Sequence, residues 1–260
     1  MKGIDVSHYQ GVIDWAKVKA AGCEFGMIKA TFGWDNDNQI DPKMVANIAG
    51  CEAAGLPYGF YHYSYAESPE DAAKEAAFFL RHIAPYKPAM PVAFDFEEAF
   101  QVGGVKNGKT YAGFSLELQL SIIEAFLGEI EKAGYFGMLY MSKSSLQRLY
   151  DYAPSRIKKF AVWVAHVDVS ATSYTGKYGI WQYSWKGSVQ GVSVPVDMNC
   201  CYVDYPSIIK SAGLNGHSSS SAPADTTDYK LMYEAEKAAH KATQAKLNAL
   251  RAGLAALMEK

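Results

Sequence analysis

Along the chain, short apolar runs rich in β-branched and aromatic residues alternate with stretches whose apolar positions recur every three or four residues. The short runs fall at residues 3–6, 25–31, 58–64, 91–97, 137–141, 160–165, 178–183 and 192–197. Runs of this length without strict polar alternation read as strands covered on both faces, the mark of a parallel sheet. Helix signals lie between the first six. Asp41-Pro42 offers a capping carboxylate followed by proline at the first helical position, with Gly55 as the stop. Ser68-Pro69-Glu70-Asp71 repeats the device, with an acidic residue three after the cap. Ser115 opens a helical stretch carrying Leu116, Leu120, Ile123, Phe126, Leu127 and Ile130, which ends near Gly134. After residue 160 the helical patterns thin out, and loops join the last strands.

This order predicts an α/β fold: an irregular (β/α) barrel of about eight strands, with helices missing near the C-terminal strands. A doubly wound open sheet is the alternative. It is weakened by the lack of a Gly-x-Gly-x-x-Gly or Walker loop after the first strand. The barrel is expected to occupy residues 1–213. Residues 214–227, with four consecutive serines, read as a linker. Residues 228–260, rich in Ala, Lys, Glu and Leu, read as one C-terminal helix. Leu247, Leu250, Leu254 and Leu257 form a stripe at spacings of three and four, continued upstream by Ala235, Ala238, Ala242 and Ala245. Such a stripe suits self-association or packing on a partner.

Composition narrows the partners. Hydrophobic residues make up 49% of the 260, enough for a substantial core. There are 19 basic against 22 acidic residues up to Gly213 and 6 against 5 beyond it, so neither part has the basic excess of a nucleic-acid binder. No apolar run approaches the ~18 residues of a membrane helix, and no membrane insertion is expected. Met1-Lys2 leads directly into Gly-Ile-Asp-Val-Ser without a leader pattern, which predicts synthesis in a cytoplasm without a signal peptide. Cys23, Cys51, Cys200 and Cys201 have neither disulfide-framework nor metal-ligand spacing. No cofactor and no metal are expected, although an all-oxygen acidic cluster also suits Mg²⁺. Of 18 tyrosines, all but Tyr229 and Tyr233 precede residue 214. They serve either as a surface that stacks on flat apolar faces such as sugar rings, or as core filling with polar edges.

The candidate chemistry lies at strand ends, where parallel barrels place their active sites. Asp5 is on strand 1, Asp95 and Glu97 close strand 4, and Asp197 closes strand 8. Alternation puts Asp95 and Glu97 on one face, roughly 6.5–7 Å apart along the strand, with Phe94 and Phe96 on the other. Barrel closure makes Asp197 a neighbour of Asp5. Crowded carboxylates repel, so at least one stays protonated near neutrality. Glycoside hydrolysis needs that combination of a protonated acid and an ionised partner. Tyr61, His62, Tyr63, Tyr140, Trp163, Trp181, Gln182 and Tyr183 sit at matching strand ends, and one of each adjacent pair should face inward. His8 and His62 are candidates for bonding a carboxylate or sugar hydroxyls.

These residues fall into a familiar order. Gly3-Ile-Asp-Val-Ser-His-Tyr-Gln-Gly, Ile13-Asp-Trp, Phe25-Gly-Met-Ile-Lys-Ala-Thr, Tyr58-Gly-Phe-Tyr-His-Tyr, Pro91-Val-Ala-Phe-Asp-Phe-Glu, Trp163-Val-Ala, Ile180-Trp-Gln-Tyr and Val196-Asp-Met-Asn resemble glycoside hydrolase family 25. These are the Chalaropsis-type lysozymes, or N-acetylmuramidases, and the phage endolysins related to them. The resemblance spans about residues 1–213. It implies cleavage of the β-1,4 bond between N-acetylmuramic acid and N-acetylglucosamine in bacterial peptidoglycan. It also implies Glu97 as general acid, Asp95 as stabiliser of the reacting centre, and Asp5 and Asp197 completing the acidic cleft. Tyr61, Tyr63, Tyr140, Trp181 and Gln182 match motif positions near the substrate groove. The chain departs from the family pattern at Thr31-Phe32-Gly33 and at Trp163-Val-Ala-His166. A leaderless lysozyme of this type would act on the wall after release from the host cell. The competing expectation is a glycan-binding module that kept the groove without catalysis.

Overall fold

A computed structural model describes residues 1–34, 36–97 and 113–219. Eight strands close a barrel in sequence order: β1 (Lys2–Val6), β2 (Phe25–Phe32), β3 (Tyr58–Tyr63), β4 (Val92–Asp95), β5 (Gly137–Ser142), β6 (Ala161–Ala165), β7 (Ile180–Gly187) and β8 (Val196–Cys201). Neighbours from β1 to β7 are parallel, whereas β8 is antiparallel to both β7 and β1. The last strand therefore differs from its sequence expectation in direction and position. Asp197 is the second residue of β8, not its end. A short loop returns the chain from β7 without a crossover helix, so β8 can only run back down. Its beginning then lies at the rim where the other strands finish.

The helices that pack around the barrel are α1 (Trp15–Ala20), α2 (Met44–Ala54), α3 (Pro69–Ile83), α4 (Leu116–Lys132), α5 (Lys143–Tyr152), α6 (Pro154–Ile157) and α7 (Tyr205–Ala212). Ser68 caps α3 by accepting from the Asp71 backbone N–H, with Pro69 at the first position. Ser115 caps α4 by the same bond to Leu118. Gly55 closes α2 in a left-handed conformation, φ 63°. The Asp41-Pro42 start is corrected: α2 begins at Met44, and Asp41 Oδ1 accepts from the Lys43 backbone N–H, at 2.9 Å, in the turn ahead of the helix. Its other oxygen, Oδ2, accepts from the His8 backbone N–H and pairs with His8 Nδ1, each at 2.9 Å.

The apolar layer between barrel and helices is aromatic. Phe94 stacks on Phe126 of α4 at 4.1 Å and on Phe96 at 5.4 Å. All three rings are fully buried, as alternation along β4 requires. Inside this layer lies a buried polar knot. Glu75 of α3 accepts from Ser64 Oγ and from the Tyr65 backbone N–H, each at 2.6 Å. His62 Nε2 lies 3.3 Å from the same carboxylate, and His62 Nδ1 pairs with Thr31 Oγ1 at 2.8 Å. These bonds fasten the loop after β3 to α3, setting the strand end that carries Tyr63.

The chain divides into Met1–Ala222, which holds every described residue, and Pro223–Lys260. Asn215, assigned to the linker by composition, is fully buried against the barrel. The greater part of the Ser-rich segment, from 220, and the helix expected over 228–260 lie outside the described residues. Among the described residues, no helix is long and apolar enough to cross a membrane.

Candidate active site

Three separate strands deliver the acids. The antiparallel β1–β8 pairing sets Asp5 directly opposite Asp197. Asp95, the last residue of β4, pairs in register with Tyr63 on one side and Tyr140 on the other. Glu97 follows two residues beyond the end of β4. All four acids line one open cleft with Ser7, Tyr9, Gln10, Lys29, Tyr61, Tyr63, Tyr140, Trp163 and Gln182. The cleft volume is about 240 Å³.

An amide pair organises its floor. Asn199 Nδ2 and Gln182 Nε2 both donate to Asp5 Oδ2, at 2.7 and 3.0 Å. The same Gln182 nitrogen lies 3.5 Å from Asp197 Oδ2. The opposite end of each amide is fixed by an obligate donor. Trp163 Nε1 donates to Asn199 Oδ1 at 2.8 Å, while Tyr140 Oη and Trp185 Nε1 donate to Gln182 Oε1 at 2.9 and 3.0 Å. Indole N–H groups can only donate, so both amides must turn their NH₂ ends toward the carboxylates. Burial raises the Asp5 carboxyl above its ordinary value, and these donated bonds pull it back toward the charged form.

The electrostatics follow from burial and crowding. Burial pushes Glu97 up to about 7, helped by the charge of Asp5 and opposed by Lys29. Burial pushes Asp197 up to about 8, reinforced by Asp5 through its charge and a shared hydrogen bond. Asp95 is raised well above the usual carboxylate range by burial and by Glu97, against the pull of Lys29. Its Oδ1 is buried without a hydrogen-bond partner. Burial lowers the Lys29 ammonium, which the carboxylates partly restore. That ammonium lies 5.0 Å from the Phe32 ring centre and 4.8 Å from that of Tyr63. The site thus holds protons near neutrality.

Of the aromatic candidates, Tyr61, Tyr63 and Tyr140 face the cleft, as does Gln182. Tyr140 and Tyr61 pack edge-on against Trp163, at 4.6 and 6.2 Å. Trp181 does not belong with them. It precedes Gln182 on β7, so alternation sends it to the outer face, where its indole N–H donates to the His166 carbonyl at 2.9 Å. His62 also faces outward into the polar knot. His8 bonds Asp41 at the cleft margin. Sequence reasoning missed Lys29, Asn199, Ser7, Tyr9, Gln10 and Trp185. Lys29 had a signal, a lone cation inside the apolar run of β2 on the same face as Asp5. Asn199 had one too, two residues after Asp197. Among the described residues, no group of three or more His, Cys, Asp or Glu side chains is placed to share a metal ion. All four cysteines are free.

A barrel with crowded, proton-holding carboxylates at its strand ends and an aromatic wall around them is the architecture of a glycoside hydrolase. The model of glycosyl hydrolases family 25 matches residues 4–192, and the chain belongs to that family. Lysozyme M1 of Streptomyces globisporus is 30% identical over 206 residues, covering 76% of this chain and 67% of that protein. The lysozyme of Lactococcus phage mv1 is 30% identical over 200 residues, covering 75% and 91%. The crystal structure of a bacterial lysozyme from Streptomyces coelicolor matches with a TM-score of 0.66 at 30% identity, over 77% of this chain and 91% of that one. The protein is a peptidoglycan hydrolase of the lysozyme, or muramidase, type.

Proposed function

We propose that the enzyme cleaves the β-1,4 bond between N-acetylmuramic acid and N-acetylglucosamine with Glu97 as the general acid. The observation that carries this reading is the Glu97 carboxyl, held at about 7 by burial and by Asp5 at the mouth of a carboxylate cleft. A carboxyl with that value is substantially protonated at neutral pH, yet acidic enough to release its proton to a leaving oxygen. Asp95, next to it on the same strand end, stabilises the positive charge that develops at the anomeric carbon. Its partner-free Oδ1 is available to orient the N-acetyl group of the substrate, whose oxygen attacks the anomeric carbon and gives net retention. Lys29 keeps Asp95 from holding its proton too tightly. Asp5, bonded by Gln182 and facing a proton-holding Asp197, supplies the negative field, and Tyr61, Tyr63 and Tyr140 form the wall against which the sugar lies.

The setting we favour is a phage endolysin that reaches the wall after release from the cytoplasm. Similarity to a phage lysozyme along 91% of that protein's length supports it. The 228–260 segment is read as a self-association element. Sedimentation of the full chain against one ending at Ser219 tests this, and equal monomeric masses refute it. Digestion of purified peptidoglycan, borohydride reduction of the new ends and mass spectrometry test the bond specificity. Reduced muramic acid is expected, and reduced glucosamine overturns the assignment. An NMR time course of the anomeric product tests the stereochemistry, with inversion excluding the N-acetyl pathway.

A further inference from the structure

Strict alternation along β7 places Gln182 inside, Tyr183 outside, Ser184 inside and Trp185 outside. The register with β8 shows otherwise. Gln182 pairs with Asn199, Ser184 with Met198 and Gly187 with Val196, so β7 carries two extra residues over this stretch. Bulges of this kind re-aim side chains beside active sites. The first bulge reverses the alternation, and Ser184 falls on the outer face opposite buried Met198. Trp185 then shares the inner face with Asp197, Asn199 and Gln182. Its indole N–H donates to Gln182 Oε1 at 3.0 Å, while the residue remains 54% exposed. Its one polar atom is therefore spent on the buried network beneath Asp5, and its face is left to solvent. A large aromatic residue held this way is a rigid plate at the cleft edge. A second exposed ring, Tyr9 at 68%, lines the cleft itself. The cleft is smaller than the ~300–1,000 Å³ of sites that engulf a whole ligand, so neighbouring units of a polymer must lie against walls outside it.

We propose that Trp185 is a specificity-determining plate that stacks on the apolar face of a sugar ring of the glycan strand, next to the unit held in the cleft. This deepens the muramidase reading and rests on it. Stacking of one ring contributes about a three- to tenfold change in apparent affinity. Peptide-free glycan strands, prepared from peptidoglycan with an amidase, serve as the probe. Trp185→Ala is expected to raise KM three- to tenfold with kcat within twofold of wild type. Trp185→Phe, which keeps a ring but loses the N–H, is expected to keep KM within about twofold. Equal KM in all three proteins overturns the proposal. So does a Phe variant as impaired as the Ala variant, because the bond to Gln182 and not the ring would then matter. Tryptophan emission separates this outcome from failure of the muramidase reading. The strands should change emission in wild type and much less in Trp185→Phe. Normal cleavage with equal emission changes refutes the plate and leaves the muramidase standing. A Trp185-dependent change without new muramic acid ends supports the plate and refutes the bond assignment.

Discussion

Asp5 and Asp197 stand opposite each other across the β1–β8 pair, and one amide nitrogen of Gln182 reaches both carboxylates, at 3.0 and 3.5 Å. The pairing exists because β8 runs against its neighbours. A parallel strand ending in Asp197 would have offered a different set of partners to Asp5. Two carboxylates in one hydrogen-bonded site share a proton, and here Asp197 holds it, with its value pushed up to about 8.

The stability consequence has a definite sign. The value of Asp197 is raised on folding from an ordinary 3.8 to about 8. Its contribution is therefore fully present below about pH 3.8 and is lost as pH rises through about 8. Asp197→Asn keeps an NH donor toward Asp5 and removes the titration. The variant should melt with wild type at pH 3.5 and progressively above it toward pH 8. Each ~1 kcal/mol recovered appears as about 2–4 °C at this chain size. Calorimetry at several pH values checks this, and a Tm difference that does not grow with pH contradicts the shared proton.

Glu97→Gln should reduce turnover by about 10²–10⁴-fold, the usual share of general acid catalysis, with Tm close to wild type. The wild-type rate should fall as pH rises through about 7, since the deprotonated acid has nothing to donate. Initial rates on solubilised peptidoglycan from pH 4 to 9 read both effects. A Gln variant that keeps full activity removes Glu97 from the mechanism.

Lys29→Met tests the cation. Lys29 lowers the values of both Glu97 and Asp95. Without it both carboxyls hold protons to higher pH, so the alkaline limb should move upward. The maximal rate should fall as well, because Asp95 is then more often neutral. A limb that stays in place, or moves down, shows that the amine does not act on Glu97.

Much of this was legible in the sequence, and each failure has its own physical cause. Seven strands were placed to within a few residues, because each apolar run is buried on both faces and leaves little freedom of assignment. Ser68 and Ser115 announced their helices, because a serine hydroxyl before a periodic run has few other uses. Asp41 looked equally clear, but its Oδ1 bonds the Lys43 N–H in a turn ahead of α2, while a partner 33 residues away, His8, holds its Oδ2. Trp181 and Trp185 went wrong in opposite directions. Trp181 matched a motif yet faces outward, and Trp185 was overlooked yet reaches Gln182. Trp181 faces outward by plain alternation with Gln182, whereas Trp185 turns inward through the bulges of β7 on β8, which leave no local trace in composition. The placement of Asp5, Asp95 and Glu97 in one cleft needed no correction, because they sit on or just beyond regular strands, where alternation holds.

Asn215 gives the last prediction, since composition assigned it to a linker. Its Nδ2 donates to the Pro88 and Met90 carbonyls, at 2.9 and 3.0 Å, and its Oδ1 accepts from the Phe136 N–H at 2.8 Å. Its own backbone N–H donates to Gly134 O at 3.0 Å. One side chain thus satisfies three backbone groups on the approaches to β4 and β5, at the end of the barrel away from the cleft. Leaving each of them buried and unpaired costs ~1–3 kcal/mol. Asn215→Ala should therefore lower Tm by roughly 6 °C or more, at about 2–4 °C per kcal/mol. Termination after Gly213 should do the same, while termination after Ser219 should preserve the melting of the barrel. Rates at 25 °C should be nearly unchanged in all three proteins, because nothing in the cleft is touched. Should the chain ending at Gly213 melt like the chain ending at Ser219, Asn215 is a passenger and the barrel closes without it.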